Sequence, residues 1–119
     1  MTLLLVSIAG AAGCVTRFLG EYLVRRHHPT LRPWATVAAN AIGCGIAGFV
    51  TYRLVSVSDA HLKSVVITGF CGGLTTFSSA LAIPALLQRE HHWGYSLSLV
   101  FTTPLLCSGL FVLGMSLAH

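Results

Sequence analysis

The chain has 119 residues, 55% of them hydrophobic and only 8% charged, with a formal net charge of +4 and a mean hydropathy of +0.80. That profile excludes a soluble globular domain. No basic stripe interleaves with exposed aromatics, so nucleic acid is excluded as a partner and membrane lipid is the expected one.

Four apolar stretches are expected to cross the membrane, at 3–24, 34–55, 64–87 and 93–117, each of 22 to 25 residues. At ~1.5 Å per residue they extend about 33–37 Å, enough for a hydrocarbon core of ~30 Å. The first has no basic leader and is too long for the apolar region of a signal peptide, so it reads as a true span. Gly10, Gly13, Arg17 and Glu21 share one of its faces. Arg17 is the expensive residue, since a mid-membrane arginine costs at least ~2.5–3.5 kcal/mol on insertion scales. Either it pairs with Glu21 one turn along and snorkels, or it stands as a fixed positive charge at the mouth of an anion path. A guanidinium suits the second role because it keeps its proton.

The intervening loops are short, at 25–33, 56–63 and 88–92. The first and third share a side and carry Arg25, Arg26, Arg32 and Arg89, against Arg53 and Lys63 on the other. That weak bias favours termini outside, and it is also what a chain inserting in both orientations would show. Along the second span, Thr36, Asn40, Cys44 and Gly48 recur every four residues. Asn40 either ties helices together or donates its amide to an anion. The letters Gly43-Cys44-Gly45-Ile46-Ala47-Gly48 match a dinucleotide fingerprint, but they lie within a span, where no strand precedes them.

The third span holds the most informative run, Gly69-Phe70-Cys71-Gly72-Gly73-Leu74-Thr75-Thr76-Phe77-Ser78-Ser79. Each unpaired backbone group in hydrocarbon costs several kcal/mol, so irregular backbone survives only inside protein or along a polar cavity. The third helix is therefore expected to break mid-membrane, unwound by its glycines, and to handle an ion there. In the fourth span Pro104 is expected to interrupt or kink the helix, with Thr102, Thr103 and Ser108 as its polar groups. The fold class that follows is an all-α integral membrane protein, one four-helix domain over 1–119. Small-residue faces on the first three spans point to a packed oligomer.

Cys14, Cys44, Cys71 and Cys107 fall one per span without C-x-x-C spacing and read as small buried apolar residues. His27-His28 and His91-His92 read as solvated loop residues rather than a metal site. No nucleophile–base pair is present in the sequence, so no enzymatic activity is expected.

These residues together resemble the Fluc/CrcB family of fluoride channels. Gly72-Gly73-Leu74-Thr75-Thr76-Phe77-Ser78 is similar to that family's third-helix motif. Gly10, Gly13, Arg17 and Phe18 resemble its first-helix pattern, and Thr36, Asn40, Gly43 and Gly48 its second. The resemblance implies an antiparallel, dual-topology dimer with two fluoride pathways in the cell inner (plasma) membrane, passively exporting cytoplasmic fluoride. It implies a structural sodium ion (Na+) at the dimer centre on the backbone carbonyls of Gly72 and Thr75 from both subunits. Phe77 would be the first ring of an aromatic box, whose positive edge suits a small anion. Thr76, Ser79, Asn40 and Arg17 would supply donors, with Ser108 standing in for a fourth-helix polar track.

One position departs from the family pattern. Ala80 stands where a second phenylalanine is usual. A homodimer would then hold half a box, unless the partner is a closely related second subunit. Two other readings stay open, a proton-coupled exporter of cationic drugs and a non-conducting partner subunit. The exporter needs a membrane-embedded carboxylate, for which Glu21 is the only in-span candidate.

Overall fold

The computed structural model describes residues 1–54 and 59–119. The end of the second expected span at Val55 and the loop residues 56–58 lie outside the described residues. Four long apolar helical segments, Thr2–His27, Pro29–Arg53, Ala60–Arg89 and Trp93–Leu117, are long and apolar enough to cross a membrane. The described residues measure 50 × 29 × 22 Å along their principal axes, which matches a bilayer of about 40–45 Å with its headgroups. This is an all-α membrane protein, with no strand among the described residues.

α1 (Thr2–His27) closes on the basic residues Arg25, Arg26 and His27, and the two arginines place positive charge where the helix dipole is negative. A 3₁₀ turn at Pro29–Leu31 leads into α2 (Arg32–Arg53), which has a proline in its first turn, where a missing N–H costs no helical bond. α3 (Ala60–Lys63) opens on Asp59, whose carboxylate accepts from the Leu62 N–H at 3.2 Å. The same segment continues as a π-helical stretch, Ser64–Cys71, and ends in α4 (Gly72–Leu74). α5 (Phe77–Arg89) and α6 (Trp93–Leu117) complete the chain.

α2 is the buried member, with Thr36, Val37, Asn40, Ala41, Gly43 and Gly48 inside. It packs most extensively against α6, while α1 packs on the π-helical stretch and α4. Both pairings depend on glycine. A Cβ on Gly73 would run into the Gly10 carbonyl, and one on Gly48 into the Phe111 carbonyl. Lipid tails are as apolar as leucine, so close backbone packing of this kind, rather than hydrophobic burial, draws such helices together. The large apolar residues accordingly face outward, among them Leu3, Ile8, Phe18, Phe101 and Leu105. Thr36, Asn40, Ser96 and Thr103 are buried within.

Two expectations need correction. Gly69, Gly72 and Gly73 keep helical backbone and do not unwind the third segment; Gly69 and Gly73 serve its contact with α1. α6 runs on through Pro104 without interruption. Proline removes one i→i−4 donor, which here leaves the Val100 carbonyl without its helical partner. The Thr103 hydroxyl does not replace that donor, because it donates to the Leu99 carbonyl at 2.7 Å.

Candidate functional site

Between α4 and α5 the backbone is extended, at Thr75 (φ −86°, ψ 149°) and Thr76 (φ −148°, ψ 121°). The Thr75 N–H closes the last helical turn onto the Cys71 carbonyl at 2.9 Å, and its hydroxyl donates to the same oxygen at 2.9 Å. The next amide turns away. The Thr76 N–H donates to the Asn40 side-chain oxygen at 2.7 Å, and the Asn40 amide donates back to the Thr76 carbonyl at 3.2 Å. Buried Asn40 on α2 thus grips Thr76 at two points and takes the donor that helix geometry would have given to Gly72.

α5 then restarts on a side-chain cap, the Thr76 hydroxyl accepting from the Ser79 N–H at 3.4 Å. Ser79 N–H is the helical donor for the Thr75 carbonyl, so that oxygen also loses its helical partner. Two carbonyls, those of Gly72 and Thr75, are left free of helical bonding by one local rearrangement. The Thr76 hydroxyl lies 3.1 Å from that of Ser78 and 3.5 Å from that of Ser79.

Beside this junction lies a cavity of about 440 Å³, walled by Asn40 and Cys44 of α2, Thr75, Thr76, Phe77 and Ala80, and by Thr103 and Cys107 of α6. Phe77 opens α5, is 80% exposed and stands at the rim of this cavity. Asn40, Thr75, Thr76 and Phe77 are therefore brought together. Gly72 sits one turn before them and is exposed. Ser79 faces a second, much smaller cavity with Thr36, Ile83 and Thr103.

The other expected residues lie elsewhere. Arg17 is on the far side of α2, in a cavity of about 340 Å³ with Glu21, Ala38, Ala39, Phe70 and Leu74. Its guanidinium is 3.6 Å from Glu21, and Glu21 also accepts from the Thr36 hydroxyl at 3.2 Å. Its Nε is buried and finds no hydrogen-bond partner among the described residues. Ser108 is exposed on α6 and lines neither cavity. Thr103, Pro104 and Cys107 form the cavity wall instead, because one residue rotates a helix face by roughly 100°.

Sequence reasoning missed Pro84. It lies inside α5, removes the helical donor for the Ala80 carbonyl at the cavity, and itself accepts from the buried Ser96 hydroxyl at 2.8 Å. A proline inside an apolar run was the available signal. Sequence reasoning also missed that Cys44 and Cys107 share this cavity wall, since spacing within one span says nothing about neighbours across two.

Comparison with known proteins agrees with this architecture. The family described as "CrcB-like protein, Camphor Resistance (CrcB)" matches residues 4–115. A fluoride-specific ion channel FluC of Sulfurovum sp. (strain NBC37-1) is 36% identical over 115 residues, covering 97% of this chain and 91% of that protein. The fluoride-specific ion channel FluC of Escherichia coli O139:H28 is 40% identical over 101 residues, covering 83% and 79% respectively. A match across nearly the whole length places this chain in the CrcB family of membrane proteins.

Proposed function

We propose that this chain forms a passive, fluoride-selective path through the inner membrane and exports cytoplasmic fluoride. The observation that carries the reading is the extended Thr75–Thr76 pair, held by Asn40 beside an exposed Phe77. An ion as strongly hydrated as fluoride crosses a membrane only where protein donors replace its water. The start of α5 offers the positive end of a helix dipole and first-turn N–H groups within the bilayer. Thr76 and Ser79 add hydroxyls, the second N–H of the Asn40 amide is not used by Thr76, and the Phe77 ring edge is electropositive. Backbone donors at a helix N-terminus are a recurrent way of holding anions.

The free carbonyls of Gly72 and Thr75 fit a hard cation, which takes oxygen ligands. Two oxygens per chain make four from a pair of chains, so these residues would hold the structural sodium ion of an antiparallel dual-topology dimer. When bound, that ion contributes a fixed positive charge that favours a nearby anion. Arg17 and Ser108 join the pathway in this reading only through the surface that a second copy presents. Ala80 leaves room beside Phe77, which a second copy or a closely related subunit would fill.

The purified chain in liposomes tests the proposal. The expected result is fluoride efflux driven by its own gradient, with chloride retained. Proton-driven cation uptake would instead identify an exporter, and silence would identify a non-conducting subunit. Expression of the chain alone in fluoride-sensitive bacteria decides the partner, since rescue requires that a homodimer be sufficient.

A further inference from the structure

Cys44 and Cys107 come from different helices and both line the cavity that Phe77 opens onto. Their approach follows from the glycine contacts between α2 and α6, where a Cβ on Gly48 would meet Phe111 backbone and one on Gly114 would meet Gly45 backbone. The two side chains stand together on that cavity wall, and both are half-buried rather than sealed in the core. Cys71 is different. It is 3% exposed, and its carbonyl is occupied by Thr75. Among the described residues no three histidine, cysteine or carboxylate side chains converge as a metal site. A tetrahedral zinc site therefore has too few ligands.

Two thiols on one accessible cavity wall suit a different ion. We propose that Cys44 and Cys107 form a two-coordinate site for soft monovalent metal ions, of the silver(I) and copper(I) class, and that its occupancy closes the adjacent anion path. Soft thiolate ligands select such ions, and two ligands suffice for them. Binding is balanced without any oxidant. Both S–H bonds break, two S–metal bonds form, and two protons leave to solvent, as thiol ligation requires. Two thiolates around one monovalent cation carry a net charge of −1. That charge sits on the wall of a cavity also lined by Asn40, Thr76 and Phe77. At low effective dielectric it repels an approaching anion far more than it would in water. The closing effect rests on the fluoride-path reading; the metal site itself does not.

The test uses the full-length purified chain, silver nitrate in chloride-free buffer, and two separate readouts. Mass spectrometry under non-denaturing conditions counts bound silver, and a fluoride electrode follows efflux from liposomes with and without the metal. The wild type and Cys14→Ser are expected to retain about one silver ion per chain and to lose efflux by roughly tenfold or more on adding silver. Cys44→Ser, Cys107→Ser and the double variant are expected to lose both the retained ion and the silver sensitivity, each judged against its own metal-free efflux. If a serine variant does not fold, the alanine variant at the same position is read by silver retention in detergent. Equal silver retention in the double variant and the wild type overturns the site. Silver retained by the pair but without slowing fluoride overturns the closing effect and leaves the site. A wild type that passes no fluoride even without silver refutes the path reading, and silver retention then decides the site alone.

Discussion

On one face of α2, Asn40 meets a backbone that has left the helix; on the other, the Ala38–Ala39 side meets an arginine that has stayed in one. Both faces hold polar groups within an apolar segment, and they satisfy them differently. The Asn40 side chain spends its oxygen and one N–H on the peptide groups of Thr76, and so fixes a backbone shape. Arg17 is instead neutralised within its own helix by Glu21, which Thr36 of α2 holds in turn. One arrangement shapes the chain and leaves carbonyls and helix-start N–H groups beside a cavity. The other pairs a charge, with the Arg17 Nε still lacking a hydrogen bond among the described residues, and leaves the helix intact. Chemistry at an ion path needs the first kind.

The glycine packing beneath both faces of α2 is the part of the molecule most sensitive to substitution. Gly73→Leu places a branched side chain against the Gly10 backbone, which cannot rotate aside as a side chain can. Overpacking of this kind costs about 1–3 kcal/mol or more. The variant is expected to fail as a folded species on size-exclusion chromatography, whereas Gly20→Leu, at a position with nothing nearby, is expected to elute like the parent.

Phe77→Ile removes the ring edge but keeps an apolar residue at the start of α5. Fluoride efflux is expected to fall by roughly a hundredfold with the elution profile unchanged. An unaltered rate would strip the ring of its role. A smaller change is expected on the Arg17 face. Glu21→Gln leaves the guanidinium without its counter-charge, and polar pairs within membranes contribute about 0.6 kcal/mol on average. Thermal stability in detergent is expected to drop by a few degrees, with efflux altered by less than about threefold. A large loss of flux with stability intact would move Arg17 from a satisfied charge to the path itself.

The number of helices and their approximate extents were legible because apolar runs of this length permit few alternatives. The special character of 69–79 was also legible, from glycines and hydroxyl residues in an apolar run. The cause was misassigned. Glycines in an apolar run suggest a helix break, yet Gly69 and Gly73 remain helical, and the close approach to α1 uses their lack of a Cβ. The departure from helix falls two residues later, where Asn40 takes the Thr76 amide. No local propensity of Thr75 or Thr76 announces that contact, which spans 36 positions of sequence. Ser108 was illegible for a related reason. The side of α6 that faces the cavity is set by packing of Gly114 on Gly45, and hydrophobic periodicity is no guide when the apolar side faces lipid.

Fluoride and chloride efflux from liposomes carrying either the wild type or Asn40→Leu is the most direct measurement. The leucine matches asparagine in the number and branching of its side-chain heavy atoms but offers Thr76 neither acceptor nor donor. The expected result is a wild type that passes fluoride and retains chloride, and a variant that elutes as the same folded species and passes neither. A variant conducting fluoride at the wild-type rate, or a wild type passing both halides alike, would contradict it.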